Sequence, residues 1–240
     1  MALTMEKNTL WNRLLDLFYP PRCVWCHGYL NGLEKRERVC LRCKETLPVL
    51  SREDRTQSIP GLDGCTSLLE YEGDVRQSIL RYKFHGLSFY SSVYTELMSD
   101  ILQTDEYACD IVTWVPLSKA RLRKRGYDQA RLLAEGFAQK KKLPCIPLLK
   151  KVRNAAPQSG TRTREERSTN IRNAYQVPAG TEMNGTVVLL LDDIVTTGAT
   201  LSECARVLKS AGAKQVKALT LARTDLKKVR KPEWRYHDSI

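Results

Sequence analysis

Two adjacent aspartates and the threonine-rich loop after them give this sequence its clearest chemical signature. Asp192 and Asp193 directly follow five consecutive apolar residues, 187–191, a run typical of a buried strand. The loop that leads on into a helical pattern supplies three hydroxyls and a glycine, namely Thr196, Thr197, Gly198 and Thr200. Backbone N–H groups at a helix start attract phosphate, while nearby aspartates can accept hydrogen bonds from a sugar diol and help to hold hydrated Mg²⁺. The pattern predicts a phosphate and ribose site with both aspartates as the catalytic candidates.

Four cysteines near the N-terminus form two closely spaced pairs. Two residues separate Cys23 from Cys26 and Cys40 from Cys43, and 13 residues lie between the pairs. This spacing lets both thiolates of a pair turn toward one tetrahedral centre, and four thiolates satisfy zinc in a structural site. A module this small has too little core to fold unaided, so the metal would supply the missing stability. The alternative is a pair of redox dithiols or four unrelated buried cysteines.

Positive charge is concentrated in one segment of the chain. The formal net charge is +12, from 39 Lys and Arg against 27 Asp and Glu, and residues 119–172 hold 16 basic and 4 acidic residues, which is the whole surplus. Such a concentration attracts polyanions such as nucleic acid or phosphorylated ligands, and the sequence leaves that choice open. The candidate contacts are Lys119, Arg121, Arg123, Lys124, Arg125, Arg162, Arg164 and Arg167. Tyr127 and the basic C-terminal tail with Trp234 and Tyr236 are candidates for stacking on bases.

Strand-like and helical patterns alternate from residue 66 onward. The predicted strands lie at 66–71, 111–115, 187–191 and 216–221, and the predicted helices at 75–82, 90–102, 129–138 and 201–211. This alternation predicts an α/β fold, with a mostly parallel sheet and helices on both faces. We expect three parts: an N-terminal helix and four-cysteine zinc finger in residues 1–50, a polar linker in residues 51–64, and the α/β domain in residues 65–240.

Composition excludes several classes of protein. With 42% hydrophobic and 28% charged residues, the chain resembles globular proteins and not disordered ones. No stretch has the roughly 18 uninterrupted apolar residues that a membrane span requires, so no integral membrane segment is expected. Residues 10–18 have the spacing of an amphipathic helix, which argues against a signal peptide. We therefore expect a cytoplasmic protein whose eight cysteines stay reduced.

Four motifs follow one another along the chain. They are the four cysteines; Trp114-Val115-Pro116-Leu117 with the basic stretch from Arg121 to Gln129; Pro157-Gln158 with Arg167 and Asn170; and the aspartate loop. In these residues and in this order the sequence resembles the ComF family of late competence proteins over nearly its whole length. The aspartate loop itself resembles the phosphoribosyl pyrophosphate signature of type I phosphoribosyltransferases.

The resemblance implies a type I phosphoribosyltransferase-like fold and a competence role in natural transformation. It implies binding of single-stranded DNA, a helicase-like competence protein as partner, and a place in the cytoplasm or at the inner face of the membrane with the DNA-uptake machinery. It also implies that residues 115–119 grip pyrophosphate and that residues 154–172 close over the site. Two further hypotheses remain: a catalytic phosphoribosyltransferase using phosphoribosyl pyrophosphate and Mg²⁺, and a regulator that senses this ligand.

Overall fold

A mostly parallel β-sheet forms the centre of the molecule. The computed structural model describes residues 20–152 and 172–225. The strands are β1 Thr56–Gln57, β2 Gly64–Glu70, β3 Ile111–Trp114, β4 Lys150–Lys151, β5 Tyr175–Gln176, β6 Val187–Val195 and β7 Gln215–Arg223. The sheet has the order β1-β2-β7-β6-β3, in which β2, β7, β6 and β3 are parallel and β1 is an antiparallel edge. A separate antiparallel ribbon pairs β4 with β5.

Helices cover both faces of this sheet, as predicted. They are α1 Glu34–Glu37, α2 Leu41–Thr46, α3 Arg52–Arg55, α4 Gly73–Phe84, α5 Tyr90–Ile101, α6 Thr104–Tyr107, α7 Lys119–Arg125, α8 Gln129–Lys141 and α9 Ala199–Ser210. Side chains of α4, α5 and α8 pack with Leu189 and Leu191 on one face, whereas α9 packs with Val188 and Leu190 on the other. Because side chains alternate along a strand, β6 is apolar on both faces and lies between two hydrophobic cores. The predicted fold class is confirmed.

Residues between the first two cysteines reach into the core under α4 and α5. Trp25 is buried, and its ring centroid lies 5.0 Å from that of Tyr94 in α5. The Ser78 hydroxyl of α4 donates to the Val24 carbonyl at 2.6 Å, and Arg81 Nη2 donates to the Trp25 carbonyl at 2.5 Å. The cysteine-bearing region therefore shares one hydrophobic core with these helices and the sheet.

Residues 51–64, predicted as a linker, are built onto the sheet. They contain α3 and β1, and Ile59 is buried among side chains of the α9 face. The Asp63 N–H donates to the Val216 carbonyl at 2.9 Å, and the Val216 N–H donates to Asp63 Oδ2 at 2.7 Å. The boundaries at residues 50 and 64 stay a prediction, and the helix expected at residues 10–18 lies outside the described residues.

The short elements α1, α2, α3, α6, β1, β4 and β5 were not predicted from the sequence, and two further differences lie close to the aspartates. Strand β6 continues through Asp192 and Asp193 as far as Val195, because Asp192 and Ile194 stay in register with β7. Helix α7 was not predicted, since it has only 7 residues and most of them are basic. Among the helices in residues 20–152 and 172–225, none combines the length and apolarity that a bilayer crossing needs.

Candidate functional site at the carboxyl edge of the sheet

The candidate site lies where the parallel strands β3 and β6 end side by side. Trp114 stands opposite Leu191 in the ladder, and the Val115 N–H donates to the Leu191 carbonyl at 3.0 Å. Because both strands run in the same direction, the chain that leaves β3 for the basic helix α7 emerges at the same edge as the aspartates of β6. The strand register thus brings the two predicted motifs together.

Asp193 forms an ion pair with a lysine that the sequence did not single out. Lys83 Nζ, near the end of α4, lies 2.9 Å from Asp193 Oδ1, and these side chains are only 17% and 10% exposed. Asp193 lies on the face of β6 that carries Leu189 and Leu191, which is the face that α4 covers. An ion pair this desolvated is costly to break, because loss of one partner leaves the other charge buried and uncompensated.

Asp192 lies on the opposite face of β6 from Asp193. Its side chain is half-buried, and its Oδ1 accepts the Asp193 N–H at 2.8 Å. Burial, together with the nearby charge of Asp193, raises the pKa of Asp192 to about 8, and the charge of Lys83 offsets only part of this rise. The two aspartates therefore differ in chemistry. Asp193 is paired with a lysine, whereas burial makes ionisation of Asp192 unfavourable at neutral pH.

The threonine loop supplies donors at the start of α9. Gly198 has φ of 76° and is buried, and a Cβ there would come within 2.8 Å of Ile59 Cγ2, so both conformation and space favour glycine. Thr196 and Thr197 are exposed, and Thr200 is half-buried. The first N–H groups of a helix have no partner within the helix. The Ala199 N–H donates to Thr197 Oγ1 at 3.5 Å, so the exposed hydroxyls lie directly beside this helix start, where a phosphate cradle would form.

Helix α7 presents its basic side chains to solvent. Its first turn is capped by Ser118, whose Oγ accepts the Arg121 N–H at 3.4 Å, and it ends at Gly126, where φ is 82°. The exposed basic residues of the helix are Lys119, Arg121, Arg123 and Lys124. The two capping residues thus give a short helix to a sequence whose charges would otherwise repel one another.

Arg125 differs from the other basic residues of α7 because it is half-buried. Its Nη1 donates to Gln129 Oε1 at 2.7 Å, and its guanidinium carbon lies 5.0 Å from the ring centroid of Phe84. Burial lowers the pKa of Arg125, while the charge of Asp193 acts in the raising direction. Arg125 therefore lies close enough to the site to sense its charge.

The ribbon of β4 and β5 lies on the Asp192 side of the site. Lys151 Nζ donates to the Tyr175 hydroxyl at 3.0 Å, and burial, helped by the charge of Arg121, lowers the pKa of Lys151. The Val152 N–H donates to the Ala174 carbonyl at 2.8 Å, so the chain leaves for residues 153–171 and returns at one place. The predicted contacts Arg162, Arg164 and Arg167 and the motif residues Pro157, Gln158 and Asn170 lie outside the described residues, as does the C-terminal tail with Trp234 and Tyr236.

Sequence reasoning missed Lys83 and Phe84, which follow the predicted helix 75–82. The only local signal is a cation and an aromatic residue placed just before a turn at Gly86, whose φ is 70°. Tyr127, the aromatic residue that was singled out, is half-buried, and its hydroxyl donates to the Tyr82 carbonyl. Its ring is thus tied to α4.

The four predicted cysteine ligands converge. The sulfurs of Cys23, Cys26, Cys40 and Cys43 all lie within 4.8 Å of one another. Cys26 Sγ lies 3.7 Å from Cys40 Sγ, and the Cys40 N–H donates to Cys23 Sγ at 3.4 Å. Four sulfurs at this separation form a cluster that can hold a metal ion such as zinc.

Comparison with known proteins agrees with this geometry. The model of the phosphoribosyl transferase domain family matches residues 124–240. Competence protein F of Haemophilus influenzae is 25% identical over 226 residues, which cover 86% of this chain and 98% of that protein. Competence protein ComFC of Streptococcus pneumoniae is 30% identical over 167 residues, which cover 65% of this chain and 67% of that protein.

A solved structure of an adenine phosphoribosyltransferase from Thermoanaerobacter pseudethanolicus also aligns with the chain. It is 13% identical and has a TM-score of 0.39, and the alignment covers 71% of this chain and 85% of that one. With so low an identity and TM-score, this structural similarity supports no conclusion about function. The fold assignment rests on the family model and on the observed strand order.

Asp192→Asn should stabilise the ligand-free protein at alkaline pH and leave its stability unchanged near pH 4. An unfolded aspartate ionises near pH 3.9, whereas the folded Asp192 does so near pH 8. Between these values the unfolded state is the one that loses the proton, so the wild type loses up to about 1.4 kcal/mol of stability per pH unit, and asparagine does not. Urea unfolding from pH 4.5 to 9 measures the difference.

The control is Asp100→Asn, because Asp100 is exposed at the end of α5. We expect the stability gap for Asp192→Asn to open up to pH 8 and then level off. A gap that is the same at every pH, or that also appears in the control, would contradict the raised pKa.

Proposed function

Since this chain belongs to the ComF family of competence proteins, we propose that it binds single-stranded DNA along α7 and acts with a helicase-like partner in handling incoming DNA. The neighbouring aspartate and threonine residues keep a site for a phosphoribosyl pyrophosphate-type ligand. One observation carries the proposal: parallel pairing of β3 and β6 sets an exposed basic helix beside an acidic, hydroxyl-rich loop. Placement at the inner face of the membrane, with the DNA-uptake machinery, belongs to the same proposal.

The charge of α7 supports contact with a phosphate backbone. Lys119, Arg121, Arg123 and Lys124 are all exposed on one short helix. Acidic residues capable of neutralising them are sparse in the surrounding sequence, since residues 119–172 contain only 4. Binding of this kind gives affinity that does not depend on base sequence and that weakens with salt. Such affinity suits a protein that must accept any incoming strand.

Arg123→Gln combined with Lys124→Gln should weaken binding to a single-stranded oligonucleotide and flatten its salt dependence. The slope of log K against log salt should become shallower by roughly 0.7 for each phosphate that the variant no longer neutralises. Fluorescence anisotropy with a labelled oligonucleotide, measured at several salt concentrations, gives both quantities.

The matched control is Lys142→Gln combined with Lys214→Gln. It removes the same charge from two exposed lysines, one just after α8 and the other just before β7, away from the carboxyl edge of the sheet. Equal losses of affinity in the two double variants would point to a general charge effect and count against α7 as the binding element. Absence of oligonucleotide binding by the wild type would remove the proposal.

The ligand site is proposed from the donor set around Asp192. The half-buried carboxyl and the exposed hydroxyls of Thr196 and Thr197 lie at one strand end, with the α9 amides behind them. Mg²⁺ prefers oxygen ligands and keeps several of its waters. A carboxyl with a raised pKa would be ionised by a nearby cation, so Asp192 fits the role of a group that gains charge when Mg²⁺ and a sugar phosphate arrive.

Thr197→Val should weaken binding of phosphoribosyl pyrophosphate with Mg²⁺ about tenfold and lower the melting temperature only slightly, because Thr197 Oγ1 accepts only a long hydrogen bond, 3.5 Å, from the Ala199 N–H. The side chain is exposed, so loss of the hydroxyl removes a donor to phosphate without touching the core. Isothermal titration calorimetry measures the affinity, and Thr104→Val, at an exposed threonine of α6, is the control. A large drop in melting temperature, or unchanged affinity, would contradict the assignment.

The same ligand distinguishes the two other hypotheses. Pyrophosphate release that depends on an added nucleobase would make the protein a phosphoribosyltransferase. Oligonucleotide affinity that changes when the ligand is present would make the site a sensor, because two coupled sites alter each other's affinity equally.

We propose that the cysteine cluster holds structural Zn²⁺. All four candidate ligands are cysteine sulfurs, and the four cysteines are partly or fully buried. A ligand set made of thiolates alone favours a closed tetrahedral zinc site. Val24 and Trp25, between the first two ligands, lie in the core shared with α4 and α5. Zinc would therefore hold the segment that completes that core.

Cys40→Ser should lose zinc and lower the melting temperature of the chain by several degrees, as a single cooperative transition. Loss of the metal frees the Trp25 segment, so the effect should reach α4 and α5. Elemental analysis gives the zinc content and calorimetry the transition. Cys109→Ser, at another half-buried cysteine, should keep its zinc; metal retained by Cys40→Ser would rule out the four-sulfur site.

A further inference from the structure

An exposed aromatic ring lies beside the basic helix. Phe84 is 60% exposed at the C-terminal end of α4, and the Arg125 guanidinium covers it with its carbon 5.0 Å from the ring centroid. Leu122, one helical turn before Arg125 on α7, is 41% exposed. We call Phe84, Leu122 and Arg125 the aromatic platform. Because Arg125 occupies one face of the ring, the open surface belongs to the other face and the edges.

The platform adjoins the aspartate loop. Lys83, the residue before Phe84, pairs with Asp193 at 2.9 Å. Within the platform, Arg125 is near enough to Asp193 and Arg121 for both of their charges to act on its pKa. A molecule lying on Phe84 would thus have the exposed cations of α7 on one side and the threonine loop at the start of α9 on the other.

The ring is held by a well-packed helix. Tyr82 of α4 is fully buried, its hydroxyl donates to the Gln129 carbonyl at 3.0 Å, and its own carbonyl accepts the Tyr127 hydroxyl. Lys83, the next residue along α4, ties the helix to β6 through its ion pair with Asp193. Phe84 therefore lies at the end of a fixed element, which lowers the entropy cost of stacking against it.

We infer that Phe84 is a stacking platform for one base of single-stranded DNA, with Arg125 behind the ring and the strand's phosphates along α7. This inference rests on the proposed DNA binding and adds the residue that would contact a base. An exposed ring suits any base, because every base offers a π-face, and a cation nearby adds to the attraction. The platform thus supplies the apolar part of an interaction whose ionic part is α7.

The test compares Phe84→Ala with the wild type on two labelled strands of equal length, an oligothymidylate and its abasic analogue. The variant should bind the oligothymidylate roughly 5- to 150-fold more weakly, the equivalent of about 1–3 kcal/mol per stacked base. Its affinity for the abasic strand should be unchanged. Phe84→Trp should restore or increase the affinity for the oligothymidylate. Unchanged melting temperatures would show that the variants fold.

Phe89→Ala is the matched control. Phe89 is 42% exposed and also has an arginine over its ring, with Arg38 at 4.9 Å, but its ring packs edge-on against Tyr90 on the cysteine-bearing side. An equal loss of affinity in this control would overturn the inference. So would equal losses on both strands, or an effect of Phe84→Ala that appears only with a free nucleobase and phosphoribosyl pyrophosphate. If the wild type binds neither strand, the proposed function itself fails, and the two failures are therefore distinguishable.

Discussion

Parallel pairing of β3 with β6 is the constraint on which the rest of the site depends. Four residue pairs, from Ile111 with Val188 to Trp114 with Leu191, fix the height at which the two strands end. A slip of one residue would turn every β6 side chain to the other face and separate Asp193 from α4. The register is secure because Leu189 and Leu191 fill one core and Val188 and Leu190 fill the other.

The two aspartates can be buried at this edge of the sheet because the cost of burying a carboxylate is offset in a different way on each face of β6. On the α4 face, the charge of Asp193 is balanced directly by Lys83. On the α9 face, Asp192 accepts an amide hydrogen bond but forms no ion pair with residues 20–152 or 172–225, and its pKa is raised. The strand thus separates a carboxylate that is paired with a lysine of α4 from a carboxyl whose pKa is raised by burial and by its neighbour.

Local signals in the sequence were enough for the main elements and for the two motifs. The apolar run before Asp192 and the spacing of α9 predicted a strand, a loop and a helix, and the cysteine spacing predicted a cluster that the structure brings together. Lys83 could not be predicted, because its pairing depends on how α4 is rotated on the sheet. The extension of β6 past Leu191 was hidden because its residues are polar, and only pairing with β7 makes them strand.

Trp25 was hidden for a different reason. Nothing in a two-residue spacer between cysteines indicates that the spacer is the part that enters a core built from α4 and α5. Because the cysteine-bearing segment contributes its spacer residues to the core of α4 and α5, it could not be transplanted or deleted by itself, and recombination at this point would have to exchange the segment together with those helices.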